Sequence, residues 1–247
     1  MRWRERNGVR WLEARMPGAT AAFSTRPGGV SDAPYESLNL GILTEDEPAA
    51  VVENRRLLAA ALGFSPAQVV IGRQVHGAAL ARHSQAQGPS PFAHPGAAIP
   101  EVDGHLTASA SLPLAVFTAD CLPVALAGPG GVAMLHCGWR GLAAGILADG
   151  AEAIGATHAA IGPGIGPCCY EVGEEVLSAF AELGGGVATG RMLDLPAVAG
   201  RLAERAGVEN VEAACLCTRC EEALFFSHRR DAGRTGRQAG LVWRTGS

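Results

Sequence analysis

The sequence predicts a single α+β domain built on a mixed β-sheet. Strand-like and helix-like segments are intermingled along 247 residues, without the regular strand–helix alternation of a doubly wound fold. No G-x-G-x-x-G motif follows a strand and opens a helix, which argues against a dinucleotide-binding domain. Hydrophobic residues make up 48% of the chain, which is enough for one large core.

The first half of the chain contains one clear helix pattern. Residues 47–63 have helical periodicity and end in glycine. Residues 68–77, QVVIGRQVHG, are rich in β-branched side chains and end in glycine, so they predict a strand. Residues 84–100 are rich in proline and glycine and predict a flexible loop.

Apolar β-like runs follow in the middle of the chain. Residues 112–120 and 130–137 predict two strands, joined as a hairpin around the Gly-Pro turn at 127–131. Residues 158–173 predict a strand that enters a Gly-Pro loop. Helices are predicted over residues 141–155, 174–184 and 193–208. Residues 223–243 predict a strand, a basic loop and a final strand.

Charge and hydropathy exclude several classes of protein. The net charge of -4 argues against a nucleic-acid-binding protein, which would carry a basic stripe. No run of 18 apolar residues occurs, so no membrane span is expected. The N-terminal residues lack the apolar region of a secretory signal, which predicts a cytoplasmic protein.

All of the 20 basic residues are arginine, and the sequence contains no lysine. Schiff-base chemistry, pyridoxal phosphate attachment and a P-loop lysine are therefore impossible. Any anion site must use arginine, backbone N–H groups or a metal ion.

Three predicted strand ends carry candidate metal ligands. His76 lies in QVHG, Cys121 ends TADC, and His136 lies in MLHCGWRG. Two imidazoles and one thiolate suit zinc and leave a fourth position open, as a catalytic zinc requires. The ligands are far apart in sequence, so three unrelated core residues are the competing interpretation.

Asp120 and Cys121 also allow a second kind of chemistry. Cys121 is a candidate nucleophile with His76 or His136 as its base. Asp120 is a candidate to orient a histidine or a substrate amine, or it caps the turn after the strand.

The sequence contains seven cysteines, an odd number that argues against a disulfide framework. The segment CLCTRC holds Cys215, Cys217 and Cys220, which could join Cys168 or Cys169 in a second, structural zinc site. Three ligands within six residues would crowd a tetrahedral ion, so buried thiols are the preferred interpretation.

Ten motifs in order resemble a known family. The chain is similar to the bacterial purine nucleoside phosphorylases once labelled multicopper polyphenol oxidases or laccases, also called peptidoglycan editing factors. The resemblance covers about residues 20 to 243. It rests on FSTRPGGVS, SLNLG, NRRLL, QVHG, VDGHLT, TADCLPV, HCGWRG, IGPGIGPCCYEVG, LDL and FFSHRRDAGRTGRQA.

This resemblance implies a mixed β-sandwich flanked by helices, forming one catalytic domain over residues 1–247. It implies one zinc ion per chain, held by His76, Cys121 and His136. The implied activities are phosphorolysis of adenosine, inosine, guanosine and methylthioadenosine, and deamination of adenosine. The expected partners are purine nucleosides and phosphate, with the protein a monomer or homodimer.

The resemblance also suggests roles for individual residues. Asp120 is the candidate proton shuttle for deamination. Arginine must bind the phosphate, and Arg140, four residues after His136, ranks first. Arg26 and Arg230 are further candidates, and Asn39 is a candidate for a ribose hydroxyl or base edge. Trp139 is interpreted as a core residue, with purine stacking as the alternative.

Two rival functions stay open within this resemblance. A cysteine or zinc amide hydrolase would edit a peptidoglycan precursor, with Cys121 as nucleophile. A laccase needs several coppers with paired H-x-H ligands, but this chain has seven histidines and no H-x-H. Copper is thus a less favoured occupant than zinc, and polyphenol oxidation is at most a low-level activity.

Overall fold

Two β-sheets stacked face to face form the centre of the protein in a computed structural model that describes residues 1–110 and 112–245. Thirteen strands occur in these residues: β1 (Arg2–Arg6), β2 (Val9–Met16), β3 (Ala19–Ser24), β4 (Leu80–His83), β5 (Gly104–Thr107), β6 (Leu114–Thr118), β7 (Leu122–Gly128), β8 (Gly131–Cys137), β9 (His158–Ile161), β10 (Ala188–Thr189), β11 (Met192–Leu193), β12 (Asn210–Ala213) and β13 (Gln238–Arg244).

Five α-helices in the same residues flank the sheets. They are α1 (Pro48–Leu62), α2 (Trp139–Ala143), α3 (Ile146–Ile154), α4 (Glu174–Ala179) and α5 (Leu195–Arg205). Single 3₁₀ turns occur at Pro66–Gln68 and Ala181–Leu183. No helix in the described part of the chain combines the length and the apolar character needed to cross a membrane.

The two large sheets differ in strand direction. The first has the order β1-β2-β3-β13-β6 and is antiparallel throughout. The second has the order β12-β9-β7-β8-β5-β4, with parallel pairs at its two edges and antiparallel pairs between them. Strands β10 and β11 form a separate small ribbon. The predicted α+β fold with a mixed β-sandwich flanked by helices, in a single domain, is confirmed.

Alternating side chains on the strands create three hydrophobic layers, because successive residues point to opposite faces. On β7, Ala125 faces the first sheet, whereas Val124 packs beneath α3 and α5. On β13, Val242 faces the second sheet and Leu241 packs against α1. The order of layers is therefore helix, sheet, sheet, helix.

The chain crosses from one sheet to the other between β6 and β7. Asp120 has a φ of 90° at this crossing, a left-handed conformation that a non-glycine residue rarely adopts. The predicted hairpin of residues 112–120 with residues 130–137 is wrong. The continuous apolar run 122–128 is itself strand β7, which pairs with β8 around the Gly-Pro turn.

Other local predictions also need correction. Residues 68–77 are not a strand, because only Val70 and Arg73 make isolated bridges there. The helix predicted over residues 141–155 is divided into α2 and α3 at Gly145, which has a φ of 93°. The tail contains turns before β13, where a strand was predicted near residue 225.

Candidate metal centre and active site

The three predicted metal ligands converge where the two sheets meet. His76 follows the extended segment before β4, Cys121 lies at the crossing, and His136 lies near the end of β8. One ligand atom from each lies within 4.8 Å of the other two. The donor set of two imidazoles and one thiol is one that zinc prefers, with a fourth position left for another group.

Asp103 holds two of these ligands in place. Its carboxylate lies 2.8 Å from Nδ1 of His136, so Nδ1 carries the proton and Nε2 is left for a metal ion. The same carboxylate accepts backbone hydrogen bonds from Val75, His76 and Gly77 at 2.8–3.1 Å. These bonds fix His76 in a left-handed conformation with a φ of 61°. Carboxylate–histidine pairs of this kind are typical of metal sites.

Sequence reasoning missed Asp103. The signal was present in VDGHLT, where an aspartate immediately precedes a buried strand. Burial alone would raise the pKa of Asp103, but His136 and the backbone N–H groups of Gly77 and Val75 lower it overall. Asp103 is therefore an anion beside the candidate metal ligands near neutral pH.

The Cys121 thiol and the His136 imidazole form a charged pair. Burial opposes ionisation of Cys121, but His136 and His76 outweigh it and lower its pKa to about 6. Burial also disfavours protonated His136, but Cys121 and Asp103 raise its pKa to about 9. A thiolate beside an imidazolium is the expected state near pH 7, and a metal would displace the proton on Nε2.

Gly138 leaves the space that these ligands need. A Cβ atom at this position would lie 3.1 Å from Sγ of Cys121 and 3.4 Å from Cδ2 of His76. The absence of a side chain therefore allows the turn after β8 to pass directly over the cluster. Together with Asp103, this close packing shows that the residues present fit a bound metal ion.

Replacing Asp103 with asparagine is expected to weaken metal binding at this cluster by about 10- to 100-fold, because the orienting charge is lost. Zinc affinity measured by competition with a chelator tests this. Asp149→Asn, on the exposed face of α3, is the matched control and should leave the affinity unchanged. Equal affinity in the Asp103→Asn protein would contradict the orienting role.

A cavity of about 920 Å³ opens from the cluster. Its size is within the range of small-molecule sites. The apolar part of its wall includes Ile42, Phe117 and Ile165. Five arginines and one carboxylate, that of Asp120, are among the described lining residues; the arginines are Arg55, Arg73, Arg140, Arg229 and Arg237. This positive excess suits an anionic ligand.

Asp120 lies in the cavity wall with both carboxylate oxygens engaged. The Thr218 hydroxyl donates to Oδ1 and the backbone N–H of Arg229 donates to Oδ2, each at 2.7 Å. The left-handed backbone at Asp120 lets the chain turn there and present Cys121 to the two histidines. The side chain is 8% exposed, so it stays accessible from the cavity.

Arg237 and Tyr170 are further cavity residues that sequence reasoning did not select. Nη1 of the Arg237 guanidinium donates to the carbonyls of Thr235 and Gly236 at 2.9 Å. These bonds fix the orientation of the guanidinium group. Burial lowers its pKa, and Cys121 and Asp120 oppose that effect. Burial and the nearby Cys121 raise the pKa of Tyr170 to about 12, so its hydroxyl is a neutral donor.

Arg140, the first-ranked candidate for phosphate binding, lies in the cavity wall. Its side chain is exposed, and its guanidinium carbon lies 4.5 Å from the ring centroid of Trp139. Trp139 is half-buried, packs against the helix-side core and also lines the cavity. His228 is a further exposed lining residue.

Arg26 and Arg230, the other two phosphate candidates, are not among the described residues that line this cavity. Arg26 donates to the backbone carbonyl of Glu36, and its guanidinium lies over the Phe226 ring. Arg230 pairs with Asp231 and donates to the carbonyls of Thr218 and Phe225. Each of these two arginines therefore ties its own segment to a neighbouring loop.

Asn39 also has a structural position rather than a place in the cavity wall. It is fully buried, and its amide group donates to Thr44 and Asp46 at 2.9 Å. Its oxygen accepts the backbone N–H groups of Gly41 and Arg237. Asn39 thus holds the loop at 41–44 and the backbone of Arg237, and its contact with substrate stays a prediction.

Asn39→Ala is expected to lower the free energy of unfolding by about 1–3 kcal/mol, because buried partners lose their hydrogen bonds. Urea denaturation measures this change. Asn210→Ala, at an exposed position at the start of β12, is the control and should be nearly neutral. A normal stability with a raised KM for nucleoside would instead support the substrate contact.

The β-sandwich, the His/Cys/His cluster and the cavity define a protein with a candidate metal centre between two sheets. A family model described as multi-copper polyphenol oxidoreductase laccase matches residues 20–245. The chain belongs to this family.

Relatives and solved structures agree with the assignment. A Streptomyces coelicolor protein named purine nucleoside phosphorylase is 43% identical over 92% of this chain and 96% of its own. The Escherichia coli purine nucleoside phosphorylase YfiH is 38% identical over 92% and 94%. The crystal structure of YlmD from Geobacillus stearothermophilus has a TM-score of 0.89 at 36% identity and covers 98% of both chains. The predicted family is confirmed.

Proposed function

We propose that this protein is a zinc-dependent purine nucleoside phosphorylase that also deaminates adenosine. The observation that carries the proposal is the His76/Cys121/His136 cluster in the wall of an arginine-lined cavity. The names of the relatives support the phosphorylase part. The proposed substrates are adenosine, inosine, guanosine and methylthioadenosine, in a cytoplasmic monomer or homodimer.

Zinc bound by His76, Cys121 and His136 would supply Lewis acidity at that end of the cavity. Asp120, beside the ligand Cys121, is the proposed proton shuttle for deamination. Hydrogen bonds from Thr218 and the Arg229 backbone hold its carboxylate in one orientation. The neutral Tyr170 hydroxyl is a further donor within the cavity.

Arg140, Arg229 and Arg237 are the proposed phosphate-binding set. All three line the cavity. Among the described residues, the ion pairs between arginine and a carboxylate involve other arginines, such as Arg230 and Arg234. Phosphate neutralised there would be positioned against the ribose, while Phe117 and Trp139 offer apolar surface to the base.

A second candidate function rests on the charged pair of Cys121 and His136. A thiolate beside an imidazolium is the arrangement of a nucleophilic cysteine, so an amide hydrolase acting on a peptidoglycan precursor is the alternative. Copper-dependent polyphenol oxidation is less favoured, because one His₂Cys cluster does not supply the ligands of a multicopper oxidase.

Product analysis of adenosine incubated with the purified protein, with and without phosphate, tests the proposal. We expect adenine and ribose 1-phosphate only with phosphate, and inosine in both reactions. Cys121→Ala protein purified in parallel is the control for contaminating enzymes. No product in either reaction from zinc-loaded protein would overturn the proposal and favour the amide hydrolase.

A further inference from the structure

Four cysteines form a second cluster, separate from the His/Cys/His site of the cavity. Cys168 and Cys169 belong to the loop after β9, whereas Cys217 and Cys220 follow β12. Their four sulfur atoms all lie within 4.8 Å of one another. We propose that these four thiols bind a second, structural zinc ion.

The spacing of the sulfur atoms matches a tetrahedral ion. Zinc–sulfur bonds of about 2.3 Å place the sulfurs of a tetrahedral site about 3.8 Å apart. Sγ of Cys220 lies 3.5 Å from that of Cys168 and 3.4 Å from that of Cys169. Cys220 is thus equally close to two possible disulfide partners, whereas one zinc ion uses all four sulfurs.

The ligand pattern avoids the crowding expected from sequence. Cys217 and Cys220 form a C-x-x-C pair, a spacing that is common in structural zinc sites. The other two ligands come from a separate segment. Cys215, the third thiol of CLCTRC, is exposed and is not part of the cluster.

The protein backbone is arranged around Cys217 as around a metal-bound thiolate. The N–H of Gly166, from the other cysteine-bearing segment, donates to its Sγ at 3.3 Å. A Cβ at Gly166 would lie 3.3 Å from Cβ of Cys217 and 3.5 Å from Sγ of Cys168. An N–H donor to a ligand sulfur stabilises the thiolate and fixes its orientation toward a metal ion.

This second ion would support the cavity indirectly. Thr218, between the two C-x-x-C ligands, is fully buried and donates to Asp120. Its backbone N–H donates to the carbonyl of Gly164, which joins the two cysteine-bearing segments. Tyr170 of the cavity wall directly follows Cys169. The four-cysteine ion therefore acts as a positioning element for Thr218 and Tyr170.

Metal content of the reduced full-length protein tests this inference, whether or not the proposed function is correct. After loading with zinc and removal of free metal, we expect two zinc ions per chain in the wild type. We expect one in Cys220→Ser and one in His136→Ala, whereas the control Cys215→Ser should keep two. One zinc in the wild type, with none in His136→Ala, would overturn the second site.

Cobalt substitution provides a readout that does not depend on the folding of a cysteine variant. His136→Ala protein loaded with cobalt should retain strong thiolate-to-cobalt absorption, because the four-cysteine cluster is intact. Loss of that absorption would overturn the inference. Intact-mass measurement showing disulfides among these cysteines in freshly reduced, metal-loaded protein would overturn it equally.

Discussion

Cys121→Ala protein is expected to lose the metal at the His/Cys/His cluster and to lose nucleoside cleavage by more than about 10³-fold. Lewis-acid stabilisation contributes several kcal/mol, and about 1.4 kcal/mol corresponds to tenfold in rate. Cys121 lies at the crossing between the sheets, and alanine there removes the thiolate partner of the buried His136. Zinc content and kcat/KM for inosine with phosphate are the measurements.

Cys215→Ala is the control for this prediction, because Cys215 is an exposed thiol outside both cysteine-containing clusters. It should keep wild-type activity and metal content. A Cys121→Ala protein within about tenfold of wild-type activity would remove the metal centre from the reaction. Circular dichroism establishes that any loss does not come from unfolding.

Arg140→Ala is expected to raise the KM for phosphate by about 10- to 100-fold with a smaller effect on the KM for nucleoside. A hydrogen bond between charged groups contributes about 1.5–3 kcal/mol, and the phosphate would lose at least one. Arg140 lies in the cavity wall and has an exposed side chain, so its removal leaves the fold intact. Steady-state kinetics with phosphate as the varied substrate measure the effect.

Arg26→Ala provides the comparison, since Arg26 lies in a separate depression lined by Glu36 and Glu222. Its KM for phosphate should match the wild type. If Arg140→Ala also kept the wild-type value, the phosphate site would have to be reassigned to Arg229 and Arg237. If Arg26→Ala alone raised it, the cavity would not be the phosphate site.

The strand ends made part of the site predictable from sequence. His76 directly precedes Gly77, His136 lies two residues before Gly138, and Cys121 comes directly before β7. Side chains at such positions can converge without filling the core. Asp103 was missed because its role depends on three backbone N–H groups of residues 75–77, and no local pattern shows that pairing.

The arginines show why side-chain roles were harder to predict than ligands. Arg230 lies in a motif-rich segment, yet the carbonyls of Thr218 and Phe225 take its donors. Arg237, seven residues later, reaches the cavity because Asn39 fixes its backbone. Both facts depend on contacts between segments far apart in the chain, which residue type and spacing do not encode.

The crossing of the chain between the two sheets also has a thermodynamic consequence. Cys121 lies at this crossing, His136 ends a strand of the second sheet, and His76 follows a segment that pairs with β6 of the first. An ion held by all three would link residues 76, 121 and 136 and so bridge the two sheets. The unfolded chain does not bring these three residues together. Because such an ion binds the folded state preferentially, the melting temperature should rise with the concentration of free zinc.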